Sequence, residues 1–131
     1  MLIGMRPVTV LAVPEKVAAA EEKNFLRTLL QKIQGDRPRI VLDCSPLLDM
    51  NKSAMRLLLS SLEEAMKRNG DVRLAALNHS ALTALTLTGI SRLFEIFPTP
   101  AEAVHSYRRR SPVVSPQVAE VAILAEAEKA A

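Results

Sequence analysis

Residues 39–59 read RIVLDCSPLLDMNKSAMRLLL. Ile40-Val41-Leu42 is a short, continuous apolar run, the pattern of a strand buried on both faces. Asp43 ends the run, and residues 44–50 continue as an apolar loop. Asn51-Lys52-Ser53 then opens a helix. A strand whose C-terminal end feeds a helix N-terminus is where α/β domains build binding sites. Ser53 stands at that junction. It is either a regulated hydroxyl or an early helical residue that bonds a local amide, with Asn51 as the N-cap.

Outward from this stretch the chain alternates strands and helices. On the C-terminal side, residues 53–68 are predicted as a helix with Met55, Leu58, Leu59, Leu62, Ala65 and Met66 on its buried stripe. Arg56, Ser60, Glu63, Glu64 and Lys67 form its wet side. Asn69-Gly70 closes it through a left-handed cap. Residues 72–77 (VRLAAL) read as a third strand, and Asn78-His79-Ser80 as a cap-like turn. A short helix over 81–87 stops before Gly89, and 93–97 is a last short strand. Thr99-Pro100-Ala101-Glu102 has the cap, the first-turn proline and the glutamate of a helix start. That helix is expected to run to about residue 109.

On the N-terminal side, Val8 to Val13 (VTVLAV) reads as a strand ending at Pro14, with burial on both faces. Leu2-Ile3 is a short edge strand before it. Residues 18–34 are predicted as a helix with Phe25, Leu26, Leu29, Leu30 and Ile33 as its apolar stripe, stopped by Gly35 as the C′ residue and by Pro38. This helix and the one after Ser53 are placed on one face of the sheet. Beyond the last helix, Ser111-Pro112 and Ser115-Pro116 break the chain twice. The compact domain is therefore set at 1–110. Residues 111–131 form a proline-containing linker and a helical extension, with Val118, Val121, Ala122 and Ala125 on one side. That extension packs back on the domain, meets a partner, or frays. The fold class is α/β: a parallel or mixed sheet of four to five strands covered by about four helices.

Composition narrows the function classes. With 49% hydrophobic but only 3% aromatic residues, the core is aliphatic. No Trp and one Tyr argue against a base-stacking nucleic-acid binder. The net charge of +3 is small, and its densest run, Arg108-Arg109-Arg110, suits the end of a helix. Cys44 is the only cysteine, so no internal disulfide forms, which fits a reducing compartment. It reads as a buried small hydrophobe. No stretch approaches the roughly 18 apolar residues of a membrane span, and the start of the chain does not read as a signal peptide. The expected location is the cytoplasm, with no membrane insertion.

The chemistry-bearing residues exclude more. His79 and His105 are the only histidines, and neither has a partner at metal-ligand spacing. No metal or other cofactor is expected. Ser53 lacks a nucleophile elbow, so a Ser-His hydrolase is disfavoured. Lys52-Ser53 resembles a fragment of a P-loop without its glycines. What remains is a helix N-terminus where a phosphate on Ser53 would meet unpaired N–H groups, with Lys52 and Arg56 near in sequence. No constellation supports an enzyme.

Three stretches together resemble the STAS domain, the fold of the anti-sigma factor antagonists. They are Val41-Leu42-Asp43 with the loop after it, Leu57 through Leu74 with the Asn69-Gly70 turn, and Leu87 through Phe97 followed by Pro100 to Val104. Antagonists of this family typically read Asp, Ser or Thr, Ser, Gly at the helix start, and a partner kinase that is also the anti-sigma factor phosphorylates the serine before the glycine. The matching run here is Asn51-Lys52-Ser53-Ala54, so Ser53 holds the phosphoacceptor position while its three neighbours differ. The added methyl of Ala54 falls where a partner backbone would approach closely.

The resemblance implies a non-catalytic binding module of a bacterial partner-switching pathway. Its partner would be a kinase-type anti-sigma factor or another signalling protein. The implied docking surface comprises Leu47, Leu48, Asp49, Met50, Asn51, Lys52, Ser53, Ala54 and Arg56. The family also implies an alternative, a constitutive scaffold or accessory subunit of a signalling assembly or ABC-type transporter. The 111–131 extension would suit contacts with a second copy or another partner.

Overall fold

The computed structural model describes residues 7–33 and 35–108. The elements are β1 (Val8–Ala12), α1 (Ala19–Lys32), β2 (Arg39–Asp43), α2 (Lys52–Met66), β3 (Asp71–Ala75), α3 (His79–Thr88), a 3-10 turn (Ile90–Leu93), β4 (Glu95–Phe97) and α4 (Pro100–Arg108). The Leu2-Ile3 strand, the domain boundary at 110 and the 111–131 extension lie outside the described residues.

Among those residues the sheet has four strands in the order β1-β2-β3-β4, and every neighbouring pair is parallel. The expected sheet of four to five parallel or mixed strands resolves to an all-parallel one. Each crossover carries a helix, which is what parallel neighbours require.

Strand alternation sends side chains to two unequal layers. Ile40, Leu42, Val72 and Leu74 point to the side of α1, α2 and α3, where they join Leu29, Leu57, Leu58 and Leu85 in one aliphatic core. On the other side, Val41 and Ala75 meet Ala103 of α4, with Val8, Phe97, Val104 and Tyr107 packed around them. As expected, α1 and α2 share one face.

Local chemistry sets the element ends. On α2 the buried positions are Ala54, Leu57, Leu58, Ser61 and Ala65. Met66, placed on the stripe from sequence, is 61% exposed, while buried Ser61 satisfies its hydroxyl by donating 2.8 Å to the Leu57 carbonyl. Leu30 of α1 is likewise exposed. At the end of α2, Asn69 takes the left-handed conformation (φ 63°), and the Gly70 and Asn69 amides donate to the Ala65 and Met66 carbonyls. Gly70 serves another purpose, because a Cβ there would collide with the ring and carbonyl of Pro38. Gly35 (φ 80°) lies two residues past the Ile33 cap of α1, one position later than expected. Gly89 caps α3 in the left-handed conformation. The last strand is shorter than the predicted 93–97, because Ile90–Leu93 winds into the 3-10 turn.

β1 corrects one expectation. Its apolar run suggested burial on both faces, yet among the described residues it is the edge strand and its pattern is mostly half-exposed. Among the described residues the element on that face is α4, which centres on β2 and β3 rather than on β1. Polar contacts fix α4 there. The Arg73 guanidinium lies 4.0 Å from the Tyr107 ring centroid and donates 2.6 Å to Ser106 Oγ. The Tyr107 hydroxyl lies 2.8 Å from the Asp71 carbonyl and 3.0 Å from that of Ile40. Burial, reinforced by the Asp71 charge, holds its proton well above the usual tyrosine range.

Candidate functional site

The C-terminal ends of the strands converge on the start of α2. Leaving β2, the Cys44 amide donates to Ala75 at the end of β3 (2.8 Å), and Asp43 Oδ1 accepts from the Ser45 amide (3.0 Å). The loop is pinned from both sides. The Leu48 amide donates to Glu15 after β1 (3.1 Å), and the Asn78 amide nitrogen donates to the Leu47 carbonyl (3.3 Å).

Asn51 is the N-cap of α2. Its Oδ1 accepts from the Ala54 amide at 2.8 Å, and its Nδ2 donates to the Val17 carbonyl at 3.2 Å. Asn78 repeats the arrangement on α3, accepting from the Ala81 amide at 2.7 Å. Two asparagines thus cap adjacent helices with their oxygens and hold neighbouring loops with their nitrogens.

Ser53 sits in the first turn of α2 and is half-buried. Its hydroxyl does not bond a local amide, as the capping alternative supposed. It accepts 3.2 Å from Arg56 Nη2 one turn on, and Arg56 Nε lies 3.4 Å from Glu22 Oε1 of α1. No acidic residue stands in the first turn of α2, so the helix N-terminus keeps its partial positive charge next to Lys52.

The nine residues proposed from sequence divide in two. Leu48, Asp49, Asn51, Lys52 and Arg56 are exposed and Ser53 is half-buried, so these six form the outer surface. Leu47, Met50 and Ala54 are buried in the aliphatic core and support that surface from beneath. The Ala54 methyl therefore points inward, and a glycine there is not needed to clear a path for a partner. Asn51 also has a local reason to replace aspartate, since a carboxylate would accept at the cap but offer no donor to Val17. Sequence reading missed Glu22 as the partner of Arg56 and the reach of Asn78 to Leu47. Both depend on packing between distant segments; the shared Asn-before-helix pattern after β2 and β3 was the available signal for the second.

Cys44 is buried beneath the loop, and its thiol pKa is pushed up to about 12, mainly by burial and then by the Asp43 charge. It is not a reactive thiol. Among the described residues no group of three His, Cys, Asp or Glu side chains could hold a metal ion. No described helix is long and apolar enough to cross a membrane. Among the described residues, one shallow hollow lies beside Phe97 and His105 and another at the N-terminal ends of β1 and β2; Ser53 lines neither.

The STAS domain family model matches residues 3–103. The chain belongs to the STAS domain family. The STAS fold is shared with an anti-sigma-factor antagonist (STAS) domain protein from Planctomyces limnophilus at 21% identity and a TM-score of 0.68, over 78% of this chain and 92% of that one. It is shared equally with the STAS domain of a SulP transporter from Vibrio cholerae, at 19% identity and a TM-score of 0.64, over 79% and 82% of the two chains. At these identities the likeness concerns the fold. No curated protein matches the chain. STAS domains are protein-interaction modules, generally without catalytic activity.

Proposed function

We propose that this STAS domain is a non-catalytic protein-binding module of a bacterial partner-switching pathway. It acts as an anti-sigma factor antagonist that docks a kinase-type anti-sigma factor through Leu48, Asp49, Asn51, Lys52, Ser53 and Arg56. The observation that carries this reading is the placement of Ser53. Ser53 is half-exposed in the first turn of α2, between Lys52 and the Arg56 that donates to its hydroxyl, and Leu48 on the loop before the helix is exposed as well. Leu48 supplies apolar contact area, and the asparagine caps hold the loop rigid, which limits the ordering cost of docking.

Phosphorylation of Ser53 would bring up to about two negative charges to this surface. A phosphate there attracts Arg56, which now bridges to Glu22, and it repels acidic groups of a docked partner. The test is a binding titration against the cognate kinase, combined with intact-mass measurement after incubation with ATP. The expected result is a single phosphate on wild type, none on Ser53→Ala, and binding weakened at least about tenfold in Ser53→Asp, equivalent to about 1.4 kcal/mol. A chain that stays unmodified, with Ser53→Asp binding like wild type, removes the switch.

A second reading is favoured by the Asn51-Lys52-Ser53-Ala54 run and by the fold shared with a transporter STAS domain. In it the module binds constitutively, as a scaffold or as an accessory subunit of a signalling assembly or transporter. Partner binding that persists while Ser53 is never modified selects this reading.

A further inference from the structure

Arg56 offers one edge of its guanidinium to two different acceptors. Its Nη2 donates 3.2 Å to Ser53 Oγ within α2, and its Nε lies 3.4 Å from Glu22 Oε1 on α1. The Nε–H and the Nη2–H beside it form a fork that a carboxylate or phosphate can accept with two oxygens at once. Here the fork is divided between a neutral hydroxyl and a carboxylate from another helix. Glu22 holds its half firmly. Its side chain is 16% exposed, against 56% for Arg56, and the adjacent Glu21 is engaged elsewhere, accepting from the Ala18 amide at 3.1 Å. Phe25 and Leu29 of α1 and Leu57 and Leu58 of α2 lie in one core. Packing, rather than a loop, therefore sets the separation of Glu22 and Arg56.

A phosphate on Ser53 upsets this division. It arises by transfer of the γ-phosphoryl group of ATP to Oγ, with loss of the hydroxyl proton and release of ADP. Its charged oxygens then compete with Glu22 for the whole fork. We propose that Glu22 is a positioning residue for Ser53: acting through Arg56, it opposes a phosphate at that position and keeps the phosphate's charge from being neutralised. This role rests on the reading of Ser53 as the phosphoacceptor. The charge balance shows what Glu22 adds. A phosphate of about two negative charges beside Arg56 alone would leave about one, whereas with Glu22 in the group the sum stays at about two. The exposed Lys52 and Asp49, on α2 and the loop before it, offset each other in that count. A group that stays negative repels an acidic partner, so Glu22 would preserve the repulsion on which release depends, and the switch would span α1 as well as α2.

The test uses full-length protein with phosphoserine installed at position 53 during translation, so that no kinase is needed. The pH titration of its 31P NMR signal reads the second phosphate pKa, ordinarily about 6. In Glu22→Gln that pKa is expected to fall by at least about 0.5 unit, about threefold in the acid constant, because the dianion gains Arg56 and loses an opposing charge. The drop is expected to shrink by at least half when Arg56→Gln is also present, which a purely structural role of Glu22 would not produce. A smaller drop in Glu22→Gln overturns the proposal, and so does a drop that is not halved without Arg56, since Glu22 then acts as a bare charge. Glu22→Ala gives the same readout should the glutamine variant fail to fold. Failure here leaves the docking reading intact, whereas a kinase that never modifies Ser53 removes that reading without altering this titration.

Discussion

The two faces of the sheet are held by different physics. Under α1, α2 and α3, Leu29, Ile40, Leu42, Leu57, Leu58, Leu74 and Leu85 are wholly buried, and the layer rests on apolar area and close packing. Under α4 the buried cluster is Val41, Ala75 and Ala103, and the helix is instead fixed by Arg73, Ser106 and the Tyr107 hydroxyl. The first face spreads its stabilisation over many non-directional contacts. The second concentrates it in a few groups whose geometry must be kept. The candidate docking surface belongs to the first face, where Leu47, Met50 and Ala54 join it directly to the core.

The sharpest way to break this contrast is Leu57→Ala, which empties a fully buried site on the thick face. Denaturant unfolding is expected to show a loss of about 2–5 kcal/mol. A loss under about 1 kcal/mol would mean that the aliphatic layer does not carry the fold as described. On the thin face, Tyr107→Phe keeps the ring under Arg73 and removes only the hydroxyl between the Ile40 and Asp71 carbonyls. A loss of about 1–2 kcal/mol is expected by the same measurement, and no change would mean that the ring alone anchors α4.

A smaller effect separates the faces by pH. Folding keeps the Cys44 thiol protonated to about 12, against an ordinary value of 9.0. Above pH 9.0 the unfolded chain therefore binds fewer protons than the folded one, and stability falls as pH rises towards 12. Tyr107 is also raised, but its contribution starts only near its ordinary value of 10.0. Unfolding measured between pH 9 and 10 should thus lose up to about 1.4 kcal/mol per pH unit in wild type. Cys44→Ala should flatten that segment of the profile while leaving the steeper loss above pH 10 in place.

The thick face was largely legible in the sequence because its signals are local. Strand runs, helical stripes, the Asn69-Gly70 turn and the Thr99-Pro100 start each sit within a few residues. What escaped were properties set by neighbours far along the chain. VTVLAV looks like a central strand, but among the described residues α4 packs over β2 and β3 and Val10 stays part-exposed. Ser61 is missing from the predicted stripe because a buried serine returning its hydroxyl to its own helix has no mark in periodicity. At the candidate site the junction, the Asn51 cap and the position of Ser53 were readable. The inward turn of Leu47, Met50 and Ala54 was not, since an irregular loop has no period from which to infer which side chains face the core.

The paired asparagine caps have a consequence for ionic strength. Asn51 and Asn78 frame the candidate docking surface through neutral amide bonds to Val17, Leu47 and two helix N-termini. Asp49, Lys52 and the bridge from Arg56 to Glu22 are the charges on top of that frame. Added salt screens such surface charges but leaves neutral hydrogen bonds almost untouched. The shape of this surface is thereby decoupled from its charge, so under the proposed docking added salt weakens attraction there without deforming it.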